Sequence, residues 1–245
     1  MRINIFKTPK EMGKEAARFI AEKLNEAISA RGEARLLVST GASQFELFEA
    51  LVHEKVDWPR VTMFHLDEYI GLPPTHKASF RKYLKERFVS LVNLGEAVFV
   101  DGEGDIAEAI AEVTARITKA PMDVAAIGIG ENGHVAFNDP PADFDTQESY
   151  IIVSLDEKCK IQQAREGWFP TPEDVPSKAI SMSVSQILKA KCIVSVVPHA
   201  VKAEAIKNTL LEPVSPLVPA TILKTHSDWH LYLDAEAAKG FVTLK

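Results

Sequence analysis

The sequence is poor in cysteine, and this shortage narrows the classes of protein to which it can belong. Its two cysteines, Cys159 and Cys192, do not form a C-x-x-C pair. A chain of 245 residues is long enough to bury a substantial core, so it does not need disulfide bonds for stability. We therefore expect a reducing compartment, and we expect neither a metal site nor a redox site on these thiols.

The sequence also lacks a net positive charge and long apolar runs. The formal net charge is −6, which provides no basic face for a nucleic acid. No apolar run approaches the ~20 residues of a membrane span, and the first residues lack the apolar segment of a signal peptide. We expect a cytoplasmic protein that binds neither nucleic acid nor membrane. An anionic ligand would need a local basic pocket.

The sequence does contain a regular alternation of apolar strands and amphipathic helices. This alternation predicts an α/β fold with a doubly wound, mostly parallel, Rossmann-like sheet in one domain covering residues 1–245. Strands are predicted at 2–6, 36–38, 61–66, 97–100, 124–127, 150–155, 193–197 and 230–233. Helices are predicted from Met12 to Ile28, with Gly32 as the stop, and at 79–88, 105–119 and 157–165. A further helix is predicted to end at Lys191.

The pattern loosens between residues 141 and 176, where prolines are frequent. An irregular stretch of this length beside a binding site is typical of a mobile cover. We therefore predict a lid-like excursion here, with Trp168 and Phe169 as exposed or lid-like aromatic residues.

The most informative stretch is 122–140, with the sequence MDVAAIGIGENGHVAFNDP. Its apolar run predicts a strand buried on both faces of the sheet. A glycine-rich loop follows, and then come His134 and Asp139, a titratable imidazole and a carboxylate. Ligands of open α/β sheets bind beyond the carboxyl ends of the strands, so this loop is a candidate site.

Gly128, Gly130 and Gly133 also spell the G-x-G-x-x-G dinucleotide fingerprint. That fingerprint requires a helix to begin within it, so that the pyrophosphate meets a helix N-terminus. The sequence Asn-Asp-Pro-Pro at 138–141 would end such a helix after about one and a half turns. We therefore predict no nicotinamide or flavin cofactor. A glycine-rich surface loop with a solvated histidine is the alternative to a site.

A second loop, Ser-Thr-Gly-Ala-Ser at 39–43, lies between a predicted strand and a predicted helix. Such a turn presents backbone N–H groups and hydroxyls to a phosphate. It is equally consistent with an ordinary helix start that is capped by Ser43.

Three charged residues are further candidates. Asp67 and Glu68 follow the strand predicted at 61–66, at the same edge of the sheet, although acidic residues there often cap the next helix. Lys202 lies in the first turn of a later helix, where the helix dipole disfavours a cation. That position suggests an anionic partner, and a solvated lysine is the alternative.

These segments resemble the glucosamine-6-phosphate deaminase (isomerase) family. The segment DEYIGLP at 67–73 resembles its motif M-D-E-Y-V-G-L-P, and 128–140 resembles G-x-G-x-D-G-H-I-A-F-N-E-P. The loop 39–43 is similar to its sugar-phosphate loop, and VKAEA at 201–205 is similar to N-K-A-x-A. The four motifs occur in family order over nearly the whole chain. The related 6-phosphogluconolactonases continue with A-S-L-F-P after the histidine, so Ala-Phe-Asn here favours the amino-sugar branch.

The resemblance implies a role for each matching residue. Asp67 would move a proton between C2 and C1 of the open-chain sugar, His134 would help to open the ring, and Asp139 would orient His134. No cofactor or metal is implied, and a homo-oligomer is left open. The residues implied to bind a phosphorylated amino-sugar substrate are Ser39, Thr40, Gly41, Ser43, Glu68, Gly128, Gly130 and Lys202.

Three departures from the family pattern indicate a divergent subgroup. Asn132 replaces the aspartate beside the histidine, and Asp139 replaces a glutamate. The family's phosphate-binding arginine precedes a Phe-Phe pair, and here the segment QQAREGWF offers Arg165 without a fixed register. We expect deamination of glucosamine 6-phosphate. The alternatives are galactosamine-6-phosphate deaminase, 6-phosphogluconolactonase and a non-catalytic sugar-phosphate sensor.

Overall fold

A parallel sheet forms the centre of the computed structural model, which describes residues 1–242. Within these residues the strands are β1 (Arg2–Phe6), β2 (Ala34–Val38), β3 (Val61–His65), β4 (Asp67–Tyr69), β5 (Glu96–Val98), β6 (Val124–Ile127), β7 (Tyr150–Ser154), β8 (Lys178–Met182), β9 (Cys192–Val197) and β10 (Trp229–Asp234). The helices are α1 (Pro9–Arg31), α2 (Phe45–Leu51), α3 (Phe80–Leu84), α4 (Ile106–Ile117), α5 (Glu157–Arg165), α6 (Val184–Ile187), α7 (Ala203–Leu211) and α8 (Ala235–Val242). None of these helices is long and apolar enough to cross a membrane.

The main sheet has the order β5-β3-β2-β6-β9-β10-β1, and its strands are parallel. The chain winds from β2 outwards to β5, returns to β6, and then winds the other way through β9 and β10. The prediction of a doubly wound, mostly parallel sheet is therefore confirmed. The winding direction changes between β2 and β6, which is where an open α/β sheet forms a crevice for a ligand.

Local sequence explains the long helix α1. The Thr8 side chain accepts a hydrogen bond from the Glu11 backbone N–H at the N-cap, and Pro9 occupies the first turn. Gly32 ends the helix in the left-handed conformation, at φ 82°, and its N–H bonds the carbonyl of Ile28. The predicted stop at Gly32 is confirmed. The apolar face of α1 packs against the sheet and against α2.

A second, antiparallel sheet with the order β4-β8-β7 was not predicted. Leu66 still donates its N–H to the carbonyl of Val38, and its own carbonyl accepts the N–H of Met182. The chain therefore leaves the parallel sheet at Leu66 and pairs with β8 instead. This change of partner places Asp67 at the start of β4, beside the carboxyl ends of the main strands.

The excursion at 141–176 contains regular structure, since the strand and helix predicted there are present as β7 and α5. The prediction of exposed aromatic side chains is wrong for Phe169, which is 3% exposed. Its ring packs edge-on against Tyr69 and stacks on His76 in a satellite apolar cluster. The helix predicted to reach Lys191 ends at Ile187, because the Lys191 N–H bonds the Met122 carbonyl and leads into β9.

Candidate active site

The loops that follow β2, β3, β6 and β9 enclose a cavity of about 280 Å³ at the carboxyl edge of the sheet. This volume lies near the lower end of the usual range for small-molecule sites, about 300–1,000 Å³. Asp67 and His134, which are far apart in the chain, line this one cavity. The other predicted site residues that line it are Ser39, Thr40, Gly41, Ser43, Gly128, Gly130 and Lys202.

Asp67 is a buried carboxylate without a protein partner. Its residue is 6% exposed, and within residues 1–242 it accepts no hydrogen bond and pairs with no cation. Burial raises the pKa of Asp67 well above its usual value, and the charge of Glu68 raises it further. A carboxyl group with a raised pKa exchanges a proton more readily near neutral pH, which suits a general base.

Glu68, the next residue, has a different environment. Its fully buried carboxylate accepts hydrogen bonds from the backbone N–H groups of Phe80 (3.2 Å) and Arg81 (2.9 Å) and from the Ser79 hydroxyl (2.9 Å). These donors surround the start of α3, so the capping interpretation applies to Glu68. The structure does not bring Glu68 to the cavity, where the resemblance implied a substrate contact.

His134 lies beside a carboxylate that is held in place by an amide. Its Nδ1 is 3.0 Å from Oδ1 of Asp139, and the same oxygen accepts a hydrogen bond from Nδ2 of Asn132 (3.0 Å). Burial raises the pKa of Asp139, but the contacts with His134 and Asn132 outweigh burial, so its pKa lies below the usual value. Asp139 is therefore a stable negative charge against the imidazole, and Asn132 orients the carboxylate rather than the ring.

Close packing excludes a side chain at Gly130 and leaves little room for one at Gly128. A Cβ atom on Gly130 would lie 2.3 Å from the His134 ring, and one on Gly128 would lie 3.2 Å from Nε2 of Gln44. Residues 128–140, all within the described chain, contain no helix, so a dinucleotide could not meet a helix N-terminus there. The glycines thus make room for His134 and for the neighbouring loop.

The loop 39–43 is held from both sides by side chains that sequence reasoning did not identify. Nε2 of the buried Gln44 donates to the carbonyl of Val196 (3.1 Å), and the Tyr83 hydroxyl donates to the carbonyl of Gly41 (2.9 Å). The alternative role of Ser43 as a helix cap is wrong, because α2 begins without a side-chain cap. These contacts are long-range, and no local sequence signal points to them.

Lys202 provides a positive charge in this cavity. The residue is 6% exposed and has no ion pair within residues 1–242, so the alternative of a solvated lysine is wrong. Burial lowers its pKa, and the charges of Glu166 and Glu131 partly oppose that effect. A buried ammonium group without a partner favours an anionic ligand that supplies one.

Helix α5 covers part of the cavity. Its residues Gln162, Gln163 and Arg165 contribute to the lining, and Arg165 forms an ion pair with Glu131 of the glycine-rich loop. Arg165 is an exposed residue of the cavity lining, and its charge adds to burial in lowering the pKa of Lys202, so the two cations lie near each other. Whether this cover moves stays a prediction.

The chain is similar to known proteins of one family. Residues 7–231 match the family model described as glucosamine-6-phosphate isomerases/6-phosphogluconolactonase. A glucosamine-6-phosphate deaminase of Streptococcus pneumoniae (strain 70585) is 37% identical over 226 residues, which cover 92% of each chain. The solved structure of a monomeric glucosamine-6-phosphate deaminase matches with a TM-score of 0.89 and 28% identity, over 98% of this chain and 100% of the other. A 6-phosphogluconolactonase from Shewanella baltica OS155 shares the fold, with a TM-score of 0.79 and 22% identity over 96% and 98% of the two chains.

Proposed function

Because the chain belongs to the family of glucosamine-6-phosphate isomerases and 6-phosphogluconolactonases, we propose that this enzyme converts glucosamine 6-phosphate and water to fructose 6-phosphate and ammonia. One observation carries the proposal. The unpartnered carboxylate of Asp67, the imidazole of His134 and the ammonium group of Lys202 line a single cavity. This set supplies a base, a proton donor for ring opening and an anion site.

The phosphate of the substrate would bind at the end formed by Lys202 and the loop 39–43. Ser39 supports this placement, since its buried Oγ has no hydrogen-bond partner within residues 1–242. Gly41, at φ 98°, lets the loop adopt a conformation that is open to a ligand. Holding the sugar by its phosphate orients the other end of the molecule over Asp67 and His134.

His134 would open the pyranose ring by accepting the proton of the anomeric hydroxyl and delivering a proton to the ring oxygen, as the bond between C1 and the ring oxygen breaks. This gives the open-chain aldehyde. The negative charge of Asp139, 3.0 Å from Nδ1, stabilises the protonated imidazole that this step requires. Asn132 contributes by fixing Asp139.

Asp67 would then carry out the isomerisation. Its carboxylate takes the proton from C2 and returns a proton to C1, while one proton of the C2 amino group moves to O1, which leaves an imine at C2 and a hydroxyl at C1. Water adds to this imine, and the C–N bond breaks to give the ketone and ammonia. The supporting observation is that Asp67 has no protein partner in the described chain and a raised pKa, as expected of a base that must exchange protons with a substrate.

A lactonase would not need a base at C2, and the likeness to the Shewanella protein, at 22% identity, extends to the fold alone. The unpartnered Asp67 therefore favours the isomerase and deaminase chemistry. A cytoplasmic location and a homo-oligomer stay predictions.

The proposal is tested with the purified protein and an ammonia assay. Glucosamine 6-phosphate, galactosamine 6-phosphate and 6-phosphogluconolactone are compared as substrates under the same conditions. We expect ammonia release that is fastest with glucosamine 6-phosphate, and formation of fructose 6-phosphate in equal amount. Hydrolysis of the lactone without ammonia release from either amino sugar would assign the cavity to a lactonase. Tight binding of the amino sugar phosphate without any product would indicate a sensor.

A further inference from the structure

His199 has a backbone conformation that side chains rarely adopt. Its φ is 80° and its ψ is 146°, close to a region that is essentially restricted to glycine. The surroundings hold it there, because its N–H donates to Oδ1 of the buried Asp234 and its carbonyl accepts the N–H of Lys202. Asp234 is itself fixed by the N–H of Ala237. The strain is therefore built into the junction between β9 and α7.

Glycine would relieve this strain without any change of the backbone path. The fold alone thus gives no reason for histidine at this position. His199 is an exposed residue and is one of the residues that line the cavity, on the same short turn as Lys202. Within the part of the chain that the structure describes, its ring nitrogens form no hydrogen bond and no ion pair.

Within the described residues, Lys202 is the one lysine or arginine of the cavity lining without an ion-pair partner. A phosphate monoester carries a charge of about −1.5 to −2 at neutral pH and three strong acceptor oxygens. Lys202 supplies one positive charge, whereas the charge of Arg165 is offset by Glu131, and Glu166 adds another negative charge to the rim. A further N–H donor close to Lys202 would meet this need.

We propose that the imidazole of His199 donates a hydrogen bond to the phosphate group of the substrate, beside Lys202. His199 is thus a substrate-binding residue at the phosphate end, and its strained backbone aims the ring at the ligand. The inference rests on the proposed function for the identity of the substrate, but recognition of the phosphate group can be measured separately.

The test uses His199→Gly and His199→Asn, with kcat, KM for glucosamine 6-phosphate, the inhibition constant of inorganic phosphate, and Tm. Loss of a hydrogen bond to a charged group should raise KM and the phosphate inhibition constant about tenfold, with kcat nearly unchanged. The glycine variant should also gain about 2–4 °C in Tm, because the backbone strain is relieved. His53→Gly, which removes an exposed histidine away from the cavity, should leave KM unchanged.

Higher stability together with weaker phosphate binding is a combination that a purely structural histidine would not give. The proposal is overturned if the wild type is active and His199→Gly leaves both KM and the phosphate inhibition constant unchanged. A lower Tm accompanied by a higher KM would instead assign His199 to the fold. If the wild type releases no ammonia, the proposed function fails. Calorimetry with inorganic phosphate on the wild type and His199→Gly then still decides whether His199 binds phosphate.

Discussion

Two aspartates at opposite ends of the central sheet are equally buried, but their surroundings differ. Asp123, just before β6 at the amino end, accepts hydrogen bonds from Arg31 (2.5 Å), the Arg35 backbone N–H (2.9 Å) and Lys191 (2.9 Å). Asp67, beyond β3 at the carboxyl end, has no such partner within residues 1–242. Both residues are 6% exposed, so burial does not distinguish them.

Two lysines also differ between the ends: the exposed Lys191 is paired with Asp123, whereas the buried Lys202 is unpaired within the described residues. An unpaired buried charge costs stability unless a partner is supplied. The paired charges around Asp123 at the amino end therefore stabilise the folded state. At the carboxyl end Glu68 is satisfied by protein donors, whereas Asp67 and Lys202 have no partner within residues 1–242, and we expect a ligand to supply one.

The largest effect on activity is expected from Asp67→Asn. A positioned general base typically contributes at least about 100-fold to the rate, so kcat/KM for glucosamine 6-phosphate should fall by that factor or more. The measurement is steady-state ammonia release. Unchanged turnover in this variant would remove Asp67 from the chemistry and with it the isomerase assignment.

The same substitution should change stability in a pH-dependent way. The pKa of Asp67 is higher in the folded protein than in the unfolded chain, because burial disfavours its charged form. The folded state therefore binds the proton more tightly, and the free energy of unfolding falls as pH rises from the ordinary aspartate pKa, about 3.9, through the raised value. Asp67→Asn should raise Tm at neutral pH, and this gain should disappear in acid. A gain that does not vary with pH would contradict the interpretation.

Gly130→Ala should disturb the ring of His134, because the added Cβ would lie 2.3 Å from it. A displacement of about 1 Å in a catalytic group can cost about 100-fold, and we expect a loss of that order in kcat. Gly104→Ala is the control, since its added Cβ meets nothing within 4 Å although its φ is +68°. The control should lose some stability and keep its activity. Equal activity of the two variants would contradict the prediction.

Lys202→Met and Lys191→Met compare a lysine at each end of the sheet. Lys202→Met should raise KM about 10- to 100-fold, through loss of a charge-assisted hydrogen bond to the phosphate. Its Tm should not fall, because an unpaired buried charge is removed. Lys191→Met should leave KM unchanged and lower Tm, because Asp123 loses a partner. The contrast between the two ends fails if the two variants behave alike.

The smallest effect on activity is expected from Asp123→Asn, the counterpart of Asp67→Asn. Its cationic partners lose their counter-charge, and we expect a loss of about 1–3 kcal/mol in the free energy of unfolding. In a chain of this size, each kcal/mol corresponds to about 2–4 °C in Tm. kcat/KM should stay within about twofold. A large loss of activity without a change in Tm would show that the amino end takes part in function.

Local sequence was sufficient for most of the fold. Apolar runs and stop residues such as Gly32 are local signals, and they predicted the strands of the main sheet and helices α1 and α5. The pairing of β4 with β8 joins segments more than a hundred residues apart, and no local pattern specifies it. The motifs likewise predicted the loops of the candidate site.

Sequence could not distinguish the individual environments within that site. Asp67 and Glu68 are adjacent carboxylates, and only the position of α3 decides that Glu68 is satisfied while Asp67 is not. The hydrogen bond from Gln44 to β9 and the backbone conformation of His199 depend in the same way on distant parts of the chain.

The most direct test of the role of Asp67 follows deuterium placed at C2 of glucosamine 6-phosphate. NMR measures how fast this deuterium leaves C2 in the wild type and in Asp67→Asn. We predict that the wild type transfers it to C1 or to solvent, and that the variant does so at least about 100-fold more slowly while remaining folded. Loss of the C2 deuterium at the same rate in both proteins would contradict the account.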